Sequence, residues 1–431
     1  MPELERSRSS IAGAKLAARA EAGLARRLTH ARRHAPIDEE VYRRRCHHEL
    51  DVIQRLGFAD HFLTVSNIVD VARTRGIRVG PGRGSTPGSV VAWALGITDI
   101  DPVRFKLVFE RFLNVDRANS CAVSIDVCAR RRSELLDRFD PICHADLAVG
   151  PLLALTLAQD VVDRVNARRG NPSLDNIAVD DTAVFAMIAS GDTSGVFWFD
   201  EDDGFAALAQ RLAPSCFEDL MLIFTLHRPG PLEHGVVDTV IARKSGRASC
   251  NAINSALDAI LADTYGVLVY QEQLIQIAHD VAGFPYTQGD LLRRALGKRR
   301  PAEIADARER FVVGAVGNGL GEVAANAIFD HFLEMSGLGF SRAHATAYCC
   351  LAYQIAYLKH YFPDEFADAV EHHRNSERPM NCDTCRTSIG PTPGETFYVC
   401  ACGHRYCWRC GQGRYKCERC QQEQRIAERR T

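Results

Sequence analysis

"VGPGRGSTPGSVVAWALGI", residues 79–97, is the stretch on which the fold of this chain turns. It holds five glycines and two prolines. A short apolar run, Gly76-Ile77-Arg78-Val79, leads into it, and an apolar helix-like run leads out. Glycines at 80, 82, 84 and 88 permit close backbone approach and positive φ values. Successive amide N–H groups can then form an anion nest, and the helix that follows directs its positive end at the same place. Arg83 and Ser85 add a cation and a hydroxyl donor. The stretch is neither a Walker A loop nor a dinucleotide fingerprint, because the Lys-Ser/Thr pair and the required glycine spacing are absent. On physics alone, a phosphate cradle and a plain tight turn stand equally open.

Around this loop, 431 residues can hold two or three domains and bury a sizeable core. Charged residues at 25% and hydrophobic ones at 46% are ordinary for a soluble globular protein. The net charge of −2 gives no global attraction to nucleic acid or acidic membranes, so such binding must rest on local basic patches. No apolar run reaches bilayer length, and the N-terminal "MPELERSRSS" lacks the apolar core of a secretory signal. A cytoplasmic location and no membrane partner are therefore expected. Residues Ile11 to Arg33 read as an Ala/Arg-rich helix, either solvated or docked. Asp38 to Thr156 mixes helices and strands. Leu157 to His373 reads as mostly helical, with apolar residues at spacings of three and four in "LAQDVVDRVNARRG" and "EVAANAIFDHFLEM". "HRNSERPMN" is a polar, proline-bearing linker, and there are no internal repeats.

The stretch "GIRVGPGRGSTPGSVVAWALGITDIDPVRFKLVFERFLN" resembles the palm of the C-family bacterial replicative polymerases, the DNA polymerase III alpha subunits. The resemblance resumes, in the family's order, in "CFEDLMLIFTLHRPGPLEHGVVDTVIARKSG", "YGVLVYQEQLIQIAHDVAGF", "DLLRRALGKRRPAEI" and "GFSRAHATAYCCLAYQIAYLKHYFPDEF". It covers roughly Asp38 to Val370. It implies that Gly84 and Ser85 lie where the incoming nucleotide's phosphates sit, beside the nucleotide-binding cation read at Arg83. It also implies a triphosphate clamp from Arg293, Arg294, Lys298 and Arg299, which matches the need of a triphosphate for several cations. The plainer reading of that helix is a solvated basic face. Arg342 and His344 stand where the family has a basic residue and a histidine near the nucleotide; a structural histidine is an equal reading of His344.

Polymerase chemistry needs two divalent ions held by carboxylates. The family supplies a Pro-Asp-x-Asp-x-Asp-type run with two metal-binding aspartates, and a third further on. Here the run reads "NSCAVSIDVCARRR". Asp126 survives, Ser124 stands in place of its partner, and Ala122 stands before that. On a strand, residues 124 and 126 share a face, where a pair of carboxylates would converge on a metal. A serine hydroxyl is a poor ligand for a hard cation. Counting back from Leu155-Thr156 puts Ala148 at the third aspartate's position, and Asp146 takes that role only if two residues are inserted. Nineteen residues, Val127 to Ala145, separate Asp126 from Asp146. The family places the rest of its palm and its thumb in that interval. Asp99 and Asp101, in "TDIDP", belong to the family's own turn sequence and read as structural.

Of the 16 cysteines, eight lie between Cys382 and Cys420. The others, at 46, 121, 128, 143, 216, 250, 349 and 350, are scattered. A reducing compartment with a metal-bound tail fits this better than a disulfide framework. Paired spacings suit two tetrahedral zinc sites. "YVCACGHRYCWRCG" resembles the in-between-RING class of zinc modules, which bind their metals in sequence order. That resemblance implies Cys382, Cys385, Cys400 and Cys402 on one ion, and Cys407, Cys410, Cys417 and Cys420 on the other. His404 is an alternative ligand. Tail aromatics and arginines interleave in a manner suited to single-stranded nucleic acid, to protein contacts, or to a small zinc core.

The expected fold is therefore α+β: a reduced palm and mostly helical fingers, followed by a small two-zinc module. The boundaries read as 1–36 N-terminal helical segment, 37–158 reduced palm with the thumb missing, 159–373 fingers, 374–380 linker, 381–421 zinc module and 422–431 tail. The expected function is binding of nucleoside triphosphate (dNTP) and primer–template DNA, with DNA synthesis weak or lost and Mg²⁺ at the palm in doubt. One alternative is an active reduced polymerase of replication or repair. The other is a zinc-dependent interaction module, ubiquitin-ligase-like, that recruits replication or repair proteins.

Overall fold

The computed structural model describes residues 2–32, 36–117, 120–136, 147–169, 177–200, 202–249, 255–336, 339–376, 380–381, 388–389, 398–399 and 405–406. The chain forms two units, Met1–Tyr361 and Phe362–Thr431.

The first unit opens with α1 (Pro2–Ala31), α2 (Glu39–Arg55), α3 (Ala59–Thr74) and the short α4 (Val90–Ala94). Leu16, Ala20, Leu24 and Leu28 recur every four residues along α1 and are all buried. That spacing builds one apolar stripe on a 3.6-residue helix, so α1 docks into the core it shares with α2, α3 and α4 and is not a solvated arm. The crossing with α4 is close. A Cβ built on Gly23 would lie 2.0 Å from the Ala94 carbonyl oxygen, so only a glycine lets the two backbones approach. Tyr42, Ile53, Phe62, Val65 and Trp93 complete the same core.

β1 (Val123–Cys128) and β2 (Leu147–Leu152) form a two-stranded parallel sheet, with Ser124 opposite Ala148 and Asp126 opposite Gly150. Val79 adds an antiparallel bridge to Val127. The glycine-rich loop thus leaves directly from the edge of the strand that carries Asp126. A helix over Leu153–Arg169 follows β2.

Among the described residues, the remainder of this unit is mainly helical. A second core gathers Phe311, Phe329 and Phe332, whose ring centroids lie 5.4–5.7 Å apart. Helices dominate and the sheet is small, in line with the α+β class. In the second unit, the helix Pro363–Ser376 precedes two short antiparallel pairs. These are β3 (Met380–Asn381) with β4 (Ser388–Ile389), and β5 (Tyr398–Val399) with β6 (Arg405–Tyr406). Among the described residues, no helix is long and apolar enough to cross a membrane.

Candidate nucleotide and metal site

The glycine loop is pinned at both ends. At its start, the Gly80 N–H donates to the Asp126 carbonyl at 2.8 Å, and the Cys128 N–H donates to the Arg78 carbonyl at 2.9 Å. At its end, Ser89 caps α4 by accepting from the Ala92 N–H at 3.0 Å. Gly84 takes φ +64°, the left-handed region that favours glycine. The start of α4 does not offer its N–H groups to a ligand, contrary to the sequence reading. The buried Glu49 carboxylate accepts from the Val90 and Val91 N–H groups, each at 3.0 Å, and from Ser89 Oγ at 2.7 Å. Arg45 pairs with the same carboxylate at 3.0 Å. Burial pushes the Glu49 carboxyl up, and Arg45 and these hydrogen bonds pull against it. A carboxylate of the chain itself therefore fills the anion position at this helix start.

Asp126 is 3% exposed and both its oxygens are engaged. Oδ1 accepts from Arg83 Nη1 at 2.9 Å, and Oδ2 accepts from Tyr348 Oη at 3.0 Å. Burial works against the Arg83 charge, but Tyr348 and Asp126 outweigh it and raise its pKa. The strand register decides what else faces this carboxylate. Ala148 sits beside Ser124 and Gly150 beside Asp126, so β2 brings no carboxylate to the face. Asp146 lies outside the described residues. Among the described residues, no group of three or more His, Cys, Asp and Glu side chains could hold a metal ion. One carboxylate, already paired, does not fit a magnesium pair, which demands oxygen ligands in near-octahedral array.

His344 reaches the loop from the helix Arg342–Tyr361. Its Nδ1 accepts from the Gly84 N–H at 3.2 Å, and its ring lies 4.3 Å from that of Tyr348. Burial first, then the Arg83 charge, push the His344 pKa down to about 4. It is therefore neutral near neutrality, and its lone pair occupies an N–H of the loop nest.

The basic residues expected to clamp a triphosphate divide into two groups. Arg293 is held by the fully buried Asp290, at 2.7 and 2.8 Å. Arg117 binds the other oxygen of Asp290 at 2.9 Å. Arg293 also approaches Gln271, which takes a hydrogen bond from Arg111 at 2.8 Å. Arg294, Lys298 and Arg299, by contrast, have no ion-pair partner among the described residues. Lys298 and Arg299 are exposed at the end of the helix Tyr286–Gly297, where Arg299 takes φ +50°. Arg342 is enclosed, 2% exposed, paired with Asp263 and set over the Tyr270 ring at 5.2 Å. Ser85 is half-buried and makes no capping bond to the turn that follows. The loop is joined to the helix Gln271–Ala282 through Gly84 and His344, then Phe340, whose carbonyl accepts from the Gln271 N–H at 2.8 Å.

Sequence reasoning missed Glu49, Tyr348 and Gly150. Asp290 could have been found, because it stands three residues before Arg293 on one helix face. A cleft of about 810 Å³ elsewhere in this unit is lined by Arg27, Tyr42, Trp93, Asp99 and Asp101. Its polar groups satisfy one another: Asp99 accepts from Arg27 at 2.8 Å and Arg73 at 3.0 Å, and Asp101 from Tyr42 at 2.8 Å. Both aspartates are structural. All eight tail cysteines expected to bind zinc, at 382, 385, 400, 402, 407, 410, 417 and 420, lie outside the described residues, as does His404.

Residues 14–141 match the bacterial DNA polymerase III alpha NTPase domain, and residues 154–319 match the bacterial DNA polymerase III alpha subunit finger domain. The chain is 29% identical over 465 aligned positions to the DNA polymerase III subunit alpha of Staphylococcus epidermidis (strain ATCC 12228), covering 79% of this chain and 43% of that protein. It is 29% identical over 499 positions to that of Escherichia coli (strain K12), covering 82% and 43%. It is also 29% identical over 456 positions to that of Staphylococcus aureus (strain COL), covering 77% and 42%. The chain thus spans less than half the length of these relatives. The first alignment runs over 465 positions, more than the 431 residues of the chain, so the relative carries internal residues that this chain lacks. Two domain matches and these relatives make the chain similar to bacterial DNA polymerase III alpha subunits over most of residues 14–319.

Proposed function

We propose that this protein binds nucleoside triphosphate and primer–template DNA on a polymerase-derived palm and fingers, with template-directed DNA synthesis weak or lost. One observation carries the reading: β2 offers Ala148 and Gly150 to β1, so Asp126 is the single carboxylate on that face among the described residues. Phosphoryl transfer by two metal ions needs more. Removing one preorganised electrostatic group from an active site typically costs about 10²–10³ in rate. The binding side keeps its cations, since Arg83, Arg294, Lys298 and Arg299 retain exposed or half-buried charge. The internal residues missing relative to the longer relatives favour loss of the thumb, and with it fewer backbone contacts to duplex DNA.

Single-nucleotide incorporation on a primed template, with Mg²⁺ or Mn²⁺, tests this beside direct triphosphate binding. Binding without measurable turnover is expected, weakened about tenfold by Arg294→Ala with Lys298→Ala, as loss of charge-assisted contacts requires. Incorporation that vanishes in Asp126→Asn would make the protein an active reduced polymerase instead.

For the tail, we propose two zinc ions on the eight cysteines. The two short hairpins support this: Cys382 directly follows β3, Cys400 follows β5 and Cys407 follows β6. A segment this short folds by metal binding more readily than by its own core. Elemental analysis of the purified chain is expected to give about two zinc ions; fewer would break the assignment. Such a module gives a cytoplasmic replication or repair partner a surface to bind.

A further inference from the structure

We infer that Arg83 is the resident cation of Asp126, standing where a divalent ion would, so that the palm holds a phosphate-bearing ligand with no metal on its carboxylate. This rests on the triphosphate-binding reading above for the ligand, and on geometry alone for the cation.

A carboxylate this deeply buried requires a partner charge. The guanidinium of Arg83 meets Oδ1 at 2.9 Å and the Tyr348 phenol meets Oδ2 at 3.0 Å, which satisfies the group without any ion. Guanidinium stays protonated at every physiological pH, so the charge facing Asp126 depends neither on pH nor on a bound ion. The surroundings are shaped to it. A Cβ built on Gly150 would lie 3.1 Å from Asp126 Oδ1 and 3.3 Å from Arg83 Nη1. A carboxylate on β2 at that register position would enter the space the ion pair now fills. An ion that displaced Arg83 would find Ser124, Gly150 and Tyr348 beside Asp126, and no second carboxylate among the described residues. Nδ1 of His344 is already committed to Gly84. Arg83 itself has a second face. Its side chain is 46% exposed, and among the described residues it gives hydrogen bonds only to Asp126, which leaves guanidinium donors for an anion above the loop.

The test is direct metal binding to the full, zinc-loaded chain, read by the electron paramagnetic resonance of Mn²⁺ without nucleotide. Wild type and Asp126→Asn are expected to bind the same amount of Mn²⁺. A Mn²⁺ site present in wild type and lost in Asp126→Asn would overturn the inference. The double variant Arg83→Ala with Gly150→Asp clears the guanidinium and supplies a second carboxylate. It is expected to gain Mn²⁺ affinity about tenfold or more over wild type; no gain in a variant that still unfolds cooperatively would also overturn it. Triphosphate binding is measured separately, in Mg²⁺ and in EDTA. Its complete absence would remove the nucleotide reading, while the Mn²⁺ comparison alone decides the role of Arg83.

Discussion

Glu49→Ala is expected to lower the free energy of unfolding by about 4 kcal/mol, the cost of breaking a buried ion pair from one side. Glu49 is fully buried and collects Arg45, Ser89 Oγ and the Val90 and Val91 N–H groups. Alanine would leave Ser89 Oγ and the Val90 and Val91 N–H groups without this acceptor in the core and strip Arg45 of its carboxylate, and unmet buried donors are more costly than absent ones. The consequence reaches the glycine loop, because Arg45 also donates to the Gly88 carbonyl. Glu49→Gln keeps the shape and part of the hydrogen bonding, so it is expected to lose clearly less. Denaturant unfolding of the three proteins decides the matter, and an alanine loss below about 1 kcal/mol would refute the role given to Glu49.

Stability is expected to fall on the acid side through His344. Its folded pKa, about 4, lies below the ordinary value of 6.5, so the unfolded chain takes up the proton first. The contribution is complete above pH 6.5 and is lost as pH falls from 6.5 towards 4. At about 1.4 kcal/mol per pH unit, the full window is worth about 3 kcal/mol. Burial is the main cause; Arg83 adds to it and Asp126 opposes it. Glutamine cannot titrate there and can still accept from Gly84. His344→Gln should therefore flatten the acid limb of a stability–pH curve measured by denaturant unfolding. An unchanged slope would show that other groups carry it.

Much of the scaffold was legible in the chain, and the reasons are local. The ladder Leu16, Ala20, Leu24 and Leu28 repeats at the helical period, so α1 could be read, though not whether it docks. "VSIDVC" alternates and is β-branched, and it forms β1. The glycine loop announced itself. The pairings that decide the site were not legible, because they join distant positions. Arg83 and Asp126 are 43 residues apart, and Tyr348 and Asp126 are 222 apart. Glu49 stands on an amphipathic helix where a glutamate ordinarily faces water. Gly150 acquired meaning only from the β1–β2 register, which no turn signal sets. The resemblance implied a clamp from Arg293, Arg294, Lys298 and Arg299, and their charge suited one, while Asp290, three residues before Arg293, already claims that residue.

The bond from Gly84 to His344 spans 260 positions of the chain. Contacts of such long separation form late, since the intervening polymer must first be confined. On a ribosome the N-terminal portion emerges first and can set α1 against α4 while the finger helices are still being made. The loop therefore receives its final shape from the last helix of its own unit, and a nascent chain stopped before that helix carries the motif without its geometry.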